Sequence, residues 1–168
     1  MRTLILGIGN SILGDDGIGV WVAQELDAQI NNENIDVRDV SVDGLNLLEI
    51  ITGYDKLVVV DAIITKEGDV GEIYRLKPER IIDPSRSAIS PHHFNLITTL
   101  EIGKKLFPNE MPEEVVVYAV KAENVTSVTE KMTKKMREAV PKVVQLIMEE
   151  LNRTGTSVIL SKDSVCVI

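Results

Sequence analysis

Short apolar runs alternate with longer segments of helical period along most of the chain. Residues 3–8 are rich in Leu and Ile, as is typical of a strand that is buried on both faces. Residues 17–30 place Ile18, Val22 and Leu26 on one helical face, which predicts an amphipathic helix. The same patterns predict further strands at residues 35–42, 57–60, 72–76 and 115–120, and further helices at residues 43–51, 91–107 and 133–151.

Alternating strands and helices predict an α/β fold, because a helix is the usual crossover between parallel strands. We therefore expect a three-layer structure, in which a mostly parallel, twisted sheet of about five strands carries helices on both faces. The strand at residues 72–76 is more polar than the others and is expected at an edge of the sheet. Residues 1–151 are expected to form a single domain, and residues 152–168 a C-terminal tail.

Charge and composition narrow the range of partners. The formal net charge is −8, which argues against a nucleic-acid partner, because binding to the phosphate backbone requires basic residues. No apolar run approaches the roughly 20 residues that a membrane span needs. We therefore expect no membrane partner and a cytoplasmic location. The single cysteine, Cys166, can form neither an internal disulfide nor a cysteine metal cluster.

Ligands of parallel sheets bind at the carboxyl ends of the strands, so the loops after the strands are where chemistry is expected. The first of these loops, within residues 7–19, begins with a Gly-x-Gly sequence that is similar to a dinucleotide-binding fingerprint. That fingerprint needs a small residue at position 12, where this chain has Ile12. In addition, Asp15 and Asp16 would place negative charge where a pyrophosphate would bind. A nucleotide-binding enzyme therefore stays only as an alternative.

Three carboxylates in these loops have both a structural and a functional interpretation. Asp15 and Asp16 stand just before a predicted helix, where acidic residues commonly cap backbone amides. Asp61 follows the apolar strand at residues 57–60 and is expected to emerge at the carboxyl edge of the sheet. Each could form hydrogen bonds within its own loop or serve a bound ligand, and the residues alone do not decide between these roles.

The only two histidines, His92 and His93, stand at the start of a predicted helix. Ser90 is suited to be its N-cap and Pro91 its first residue. A helix N-terminus disfavours a protonated imidazole, which leaves the ring available as a metal ligand or general base. Two carboxylates and one imidazole at one edge of a sheet would form a small metal site with nitrogen and oxygen ligands and open positions.

The chain resembles the hydrogenase maturation proteases, which process the large subunit of nickel–iron hydrogenases. The most specific similarity is a strand followed by Gly-Ile-Gly-Asn at residues 7–10 and Gly-Asp-Asp-Gly-Ile-Gly at residues 14–19. Further similar segments are Asp-Gly at 43–44, Val-Asp-Ala at 60–62, Gly-Asp-Val-Gly-Glu-Ile at 68–73, Ser-Pro-His at 90–92 with Leu96, and Ala-Val-Pro at 139–141. The resemblance implies that residues 1–151 are an α/β peptidase domain.

The resemblance also implies a site and a substrate. Three side chains bind the metal in this family, and the corresponding residues here are Asp16, Asp61 and His92. His93 directly follows His92 and is the alternative histidine ligand. The implied activity is that of a metal-dependent endopeptidase, which removes the C-terminal extension of the hydrogenase large-subunit precursor. The implied metal is nickel, supplied by that precursor.

No other proteolytic machinery competes with this interpretation. The only cysteine is in the tail, no serine stands in a nucleophile elbow, and the helical zinc-protease motif is absent from the sequence. Two alternatives from other classes remain: the nucleotide-binding enzyme, and a non-catalytic hydrogenase assembly factor on the same fold.

Overall fold

The computed structural model describes residues 1–40, 44–78 and 91–153, without the side chains of residues 44–46 and 91–95. The strands are β1 (Thr3–Ile8), β2 (Ile35–Val40), β3 (Lys56–Ile63), β4 (Ile73–Leu76) and β5 (Glu114–Lys121). The helices are α1 (Ile18–Gln29), α2 (Gly44–Ile51), α3 (Pro91–Leu106) and α4 (Lys134–Arg153), and a 3₁₀ turn (Gly14–Gly17) precedes α1.

The strands form one sheet in the order β2-β1-β3-β5-β4. The first four strands of this order are parallel to one another, and β4 runs antiparallel to β5 at an edge. The expected α/β class and the mostly parallel sheet of five strands are confirmed, as is the edge position of the polar strand. Among the helices that the structure describes, none has the length and apolar composition of a membrane span.

Each face of the sheet is covered by two helices. The alternation of β3 shows the two layers: Val58 and Val60 pack in the cluster formed with α1 and α4, whereas Leu57 and Val59 pack in the cluster formed with α2 and α3. All eight residues of β3 are buried, as expected for the central strand of a sheet covered on both sides.

Two elements are longer than the apolar pattern predicts. The apolar run of β3 stops at Val60, but the strand continues to Ile63 because its pairing with β5 extends to that residue. The last helix continues to Arg153, and Pro141 does not interrupt it. Residues 152 and 153 of the predicted tail therefore belong to α4, which corrects the predicted boundary of the domain. The rest of the predicted tail, with Cys166, and the expected cap Ser90 lie outside the described residues.

Helix α1 lies unusually close to the sheet, and two glycines permit this approach. A Cβ atom on Gly7 of β1 would collide with the carbonyl oxygen of Gly19 in α1. A Cβ atom on Gly19 would in turn collide with the carbonyl oxygen of Ile8 and lie 2.5 Å from that of Val60. Only glycine lets a backbone approach another this closely. The start of α1 is therefore held directly against the ends of β1 and β3.

A network of charges around the buried Lys56 and Glu150 joins three strands to α4 at the amino end of the sheet. The Lys56 ammonium lies 2.9 Å from a Glu114 oxygen and 3.1 Å from a Glu150 oxygen. The Arg75 guanidinium donates two hydrogen bonds to Glu150, at 3.1 and 2.9 Å, and the Tyr118 hydroxyl donates another at 3.4 Å. The Glu150 carboxylate is therefore the shared acceptor that ties α4 to the sheet.

This network makes the stability of the protein depend on pH. The Arg75 hydrogen bonds, assisted by the hydrogen bond and the charge of Lys56, lower the pKa of Glu150 from 4.5 to about 2 against the opposing effect of burial. A carboxyl whose pKa is lowered on folding stabilises the fold above its unfolded-state pKa. That contribution is lost as the pH falls through the folded-state pKa, here between about 4.5 and 2.

We expect Glu150→Gln to lower the free energy of unfolding at pH 7 by roughly 3 kcal/mol, because the variant removes the charge that Lys56 and Arg75 share. The difference from the unsubstituted protein should shrink as the pH falls from 4.5 towards 2. Urea unfolding at a series of pH values measures both effects. The neighbouring exposed residue provides the control, since Glu149→Gln should change stability by less than about 0.5 kcal/mol. A loss in Glu150→Gln that does not vary with pH would contradict the assignment.

Candidate active site

The carboxyl edge of the sheet contains a topological switch point between β1 and β3. The chain leaves β1 towards β2 on one side and later returns to place β3 on the other side. In sheets of this kind, the crevice for ligands lies outside the carboxyl ends of the two strands at the switch point. Asp16 follows β1 and Asp61 lies near the end of β3, so two of the predicted site residues belong to this edge.

Asp61 is a strand residue rather than a loop residue, and its position is a correction to the expectation from sequence. It pairs with Ala119 of β5 and is fully buried. Strand alternation places it on the face of β3 that carries Val59 and Ile63, which is the face covered by α2 and α3. Carboxylates are rarely buried to this extent unless they are paired or bind a metal.

Asp16 lies in the 3₁₀ turn between β1 and α1, and it too is buried. Its Oδ2 atom accepts a hydrogen bond of 2.8 Å from the backbone N–H of Asn10. Gly9 permits the loop to fold back, because its φ angle is +147° and an added Cβ atom would collide with the carbonyl oxygen of Asp16. The turn packs against β3, so the segments that carry Asp16 and Asp61 adjoin.

Asp15 has a structural role that distinguishes it from its neighbour. Its carboxylate accepts hydrogen bonds from the backbone N–H groups of Glu123 and Asn124, at 3.1 and 3.2 Å, and of Thr133, at 2.7 Å. These residues belong to the loop between β5 and α4, so Asp15 joins that loop to the loop after β1. The structural interpretation therefore holds for Asp15, but the capping interpretation is wrong, because in the described part of the chain no side-chain hydrogen bond caps the 3₁₀ turn or α1. The partners of Asp15 are instead in a distant loop.

His92 and His93 lie in the first turn of α3, which begins at Pro91 as predicted, but their side chains lie outside the described part of the structure. The end of α3 lies at the amino edge of the sheet, where the carbonyl of Glu110 accepts a hydrogen bond from Gly53, just before β3. The first turn of α3 therefore lies towards the carboxyl edge. Position 92 precedes the buried Leu96 by one helical turn and shares its face.

The structure describes the side chains of two of the three predicted ligands, Asp16 and Asp61. Among the side chains that the structure describes, which do not include His92, no group of three or more His, Cys, Asp or Glu residues could hold a metal ion. Asp16 and Asp61 supply two buried carboxylates at the switch point. Carboxylates and a neutral imidazole are suitable ligands for divalent first-row metals, so the chemistry of the predicted set fits such an ion.

The loop after β1 is poorly suited to bind phosphates. A phosphate-binding loop directs free backbone N–H groups at its ligand, whereas here these groups are already engaged within the protein. The N–H of Asn10 donates to Asp16, that of Leu13 to Asn10, that of Gly14 to Thr129 and that of Asp15 to Asn124. The third glycine of a dinucleotide-binding fingerprint normally permits close contact between helix and strand. In this chain Gly19 permits that contact, and not the residue at position 12.

Comparisons with known proteins agree on one family. The sequence model of the family described as hydrogenase maturation protease matches residues 20–150. The hydrogenase 2 maturation protease of Escherichia coli K12 is 31% identical over 121 residues, which cover 71% of this chain and 73% of that protein.

Solved structures of the same kind share the fold. The hydrogenase maturating endopeptidase HybD of Escherichia coli superposes with a TM-score of 0.84 at 25% identity, over 98% of this chain and 100% of that chain. The nickel–iron hydrogenase maturation protease HybD of Thermococcus kodakarensis has a TM-score of 0.74 at 23% identity, over 90% of this chain and 99% of that chain.

We expect no binding of NAD, FAD or ATP at micromolar concentrations, because the loop amides are occupied and two buried carboxylates stand at the site. Isothermal titration calorimetry of the intact protein measures this directly. A saturable micromolar isotherm with any of the three would favour the nucleotide-binding alternative.

We expect Asp15→Asn to lower the free energy of unfolding by about 1–3 kcal/mol, because the amide group would direct a donor at backbone N–H groups that now donate to a carboxylate. Chemical denaturation measures the loss. Asp27→Asn is the matched control, since Asp27 is exposed on α1 and its substitution should be nearly neutral. Equal stability of the two variants would show that Asp15 does not join the two loops.

Proposed function

The chain belongs to the hydrogenase maturation protease family, and on this basis we propose that it removes the C-terminal extension from a nickel–iron hydrogenase large-subunit precursor already loaded with nickel. One observation supports this proposal most strongly. Two buried carboxylates, Asp16 and Asp61, come from adjoining segments at the switch point of the sheet, where α/β proteins bind their ligands.

In this proposal Asp16, Asp61 and His92 contact nickel that the precursor's own side chains hold, so the metal belongs to the substrate. A divalent ion at such a site supplies Lewis-acid chemistry, which can polarise a carbonyl group or lower the pKa of a bound water. The protein's contribution is to hold its ligands in place. The N–H of Asn10 fixes one oxygen of Asp16, and burial within β3 fixes Asp61.

The two neighbouring acidic residues have separate roles in this account. Asp15 is engaged by three backbone N–H groups and holds two loops together, whereas Asp16 stands beside β3. Asp16 and Asp61 are both candidates for the general base that activates water. A dependence on substrate-borne nickel would restrict cleavage to precursors that have completed metal insertion.

We expect Asp16→Asn, Asp61→Asn and His92→Ala each to reduce cleavage by more than about 100-fold, as is usual for groups that act in the transition state. Their melting temperatures should stay close to that of the unsubstituted protein. Mass spectrometry of the nickel-loaded precursor after incubation measures the product. His93→Ala is the matched control and should keep most activity, and Asp15→Asn should retain cleavage despite its lower stability.

Normal cleavage by all three variants would contradict the proposed site. If His93→Ala is inactive and His92→Ala is active, the histidine ligand is His93. Binding of the precursor by the unsubstituted protein without any change in its mass would contradict proteolysis and favour the assembly-factor alternative.

We expect cleavage to depend on nickel in the precursor. The nickel-loaded and the nickel-free precursor are purified in parallel and mixed with the same enzyme. Only the nickel-loaded precursor should be shortened. The mass of each product is the measurement. Equal processing of the two forms would contradict the proposed role of the metal.

A further inference from the structure

A groove of about 860 Å³ lies between α1 and α4, on the face of the sheet opposite α2 and α3. Its mainly apolar lining includes Trp21, Met132, Val140, Val144 and Met148. Helices α1 and α4 both begin at the carboxyl edge, so the groove starts at that edge and follows the two helices. From Trp21 to Gln29 it extends along about 12 Å of helix, at 1.5 Å per residue.

The mouth of the groove adjoins the candidate active site. A Cβ atom placed on Gly17, the residue after Asp16, would lie 3.0 Å from Ser11 Cα and 3.5 Å from Trp21 Nε1. Trp21 therefore stands beside the turn that carries Asp16. On the other side of the mouth, Met132 precedes Thr133, whose backbone N–H donates to Asp15.

Exposed apolar side chains extend this surface over the edge of the sheet. Ile12 is about half exposed, Trp21 is 43% exposed and Val128 is 82% exposed. A hydrogen bond of 2.9 Å from the N–H of Thr129, the residue after Val128, to the carbonyl of Ile12 joins the two loops that carry Ile12 and Val128. We call the groove together with Ile12, Trp21 and Val128 the apolar strip. Clustered exposed apolar residues of this kind commonly mark a binding surface.

An endopeptidase must hold a polypeptide across its active site. The few buried side chains that are proposed to bind the metal offer that polypeptide little contact area. The binding energy must then come from neighbouring surfaces, where large apolar anchors usually dominate. The rim of the groove carries charges of both signs, from Glu25, Glu130, Lys131 and Arg137, so it does not favour an anionic ligand. Its apolar lining favours apolar side chains.

We propose that the apolar strip binds an apolar segment of the hydrogenase precursor, and that Trp21 and Val128 are two of its anchors. This inference rests on the proposed function, because the precursor is its occupant. The strip acts in binding and not in bond cleavage. Its loss should therefore weaken the complex and raise KM while leaving kcat at saturating precursor nearly unchanged.

The test compares Trp21→Ala/Val128→Ser with the matched control Phe107→Ala/Leu106→Ser. Phe107 is 42% exposed and Leu106 is 62% exposed. Leu106 is the last residue of α3 and Phe107 follows it, at the opposite edge of the sheet. Kd for immobilised nickel-loaded precursor is measured in an Asp16→Asn background, and KM and kcat are measured with Asp16 intact. We expect the strip variant to raise Kd and KM at least about tenfold, as for loss of an aromatic anchor, and the control to change neither.

Unchanged Kd and KM in the strip variant would overturn the inference while leaving the proposed function intact. If the unsubstituted protein does not cleave the precursor, the proposed function is overturned instead. The comparison of Kd between the strip variant and the control would still test the strip. Sedimentation of the free protein tests whether a second copy of this chain occupies the strip instead. If the free protein is a dimer that the strip substitutions dissociate, and Kd for the precursor is unchanged, the strip is a dimer interface. If Trp21→Ala fails to fold, Val128→Ser alone provides the test, because its side chain is 82% exposed.

Discussion

The contact between Gly7 and Gly19 determines how closely α1 packs against the sheet, and the geometry of the carboxyl edge depends on it. Neither residue has a side chain, so the first turn of α1 rests on the backbone of β1 and β3. The 3₁₀ turn just before α1 is thereby held against β3, which places Asp16 next to the segment of Asp61. The same contact positions Trp21 at the mouth of the groove. A larger side chain at position 7 or 19 would displace both features together.

Two adjacent carboxylates at the carboxyl edge of the sheet have different roles, one structural and one proposed to be functional. Asp15 accepts hydrogen bonds from the loop between β5 and α4, and so holds that loop against the loop after β1. The N–H of Asn10 orients the carboxylate of Asp16, and the turn that carries Asp16 adjoins β3. Burial of both carboxylates costs free energy. Hydrogen bonds within the protein offset that cost at Asp15 and, through the N–H of Asn10, at Asp16. In our proposal the metal of the substrate stabilises Asp16 further.

Much of the fold could be predicted from sequence, because the spacing of apolar residues differs between strands and helices wherever these elements are buried. The end of β3 could not be predicted in this way, since Asp61 interrupts the apolar run although pairing with β5 continues to Ile63. The partners of Asp15 depend on tertiary contacts between distant loops, which leave no local pattern. The role of Gly19 was missed for a related reason. The glycine that permits helix–strand contact stands seven positions later than in a dinucleotide-binding fingerprint, and only the folded chain shows that it serves the same purpose.

In our proposal, Asp16 and Asp61 contact nickel that the precursor holds. Nickel X-ray absorption tests this contact directly in three samples: the precursor alone, its complex with the unsubstituted protease frozen before cleavage, and its complex with Asp16→Asn/Asp61→Asn. The unsubstituted protease should add oxygen or nitrogen neighbours to the nickel, and the double variant should not. An identical nickel spectrum in all three samples, with both complexes formed, would contradict the proposed contact.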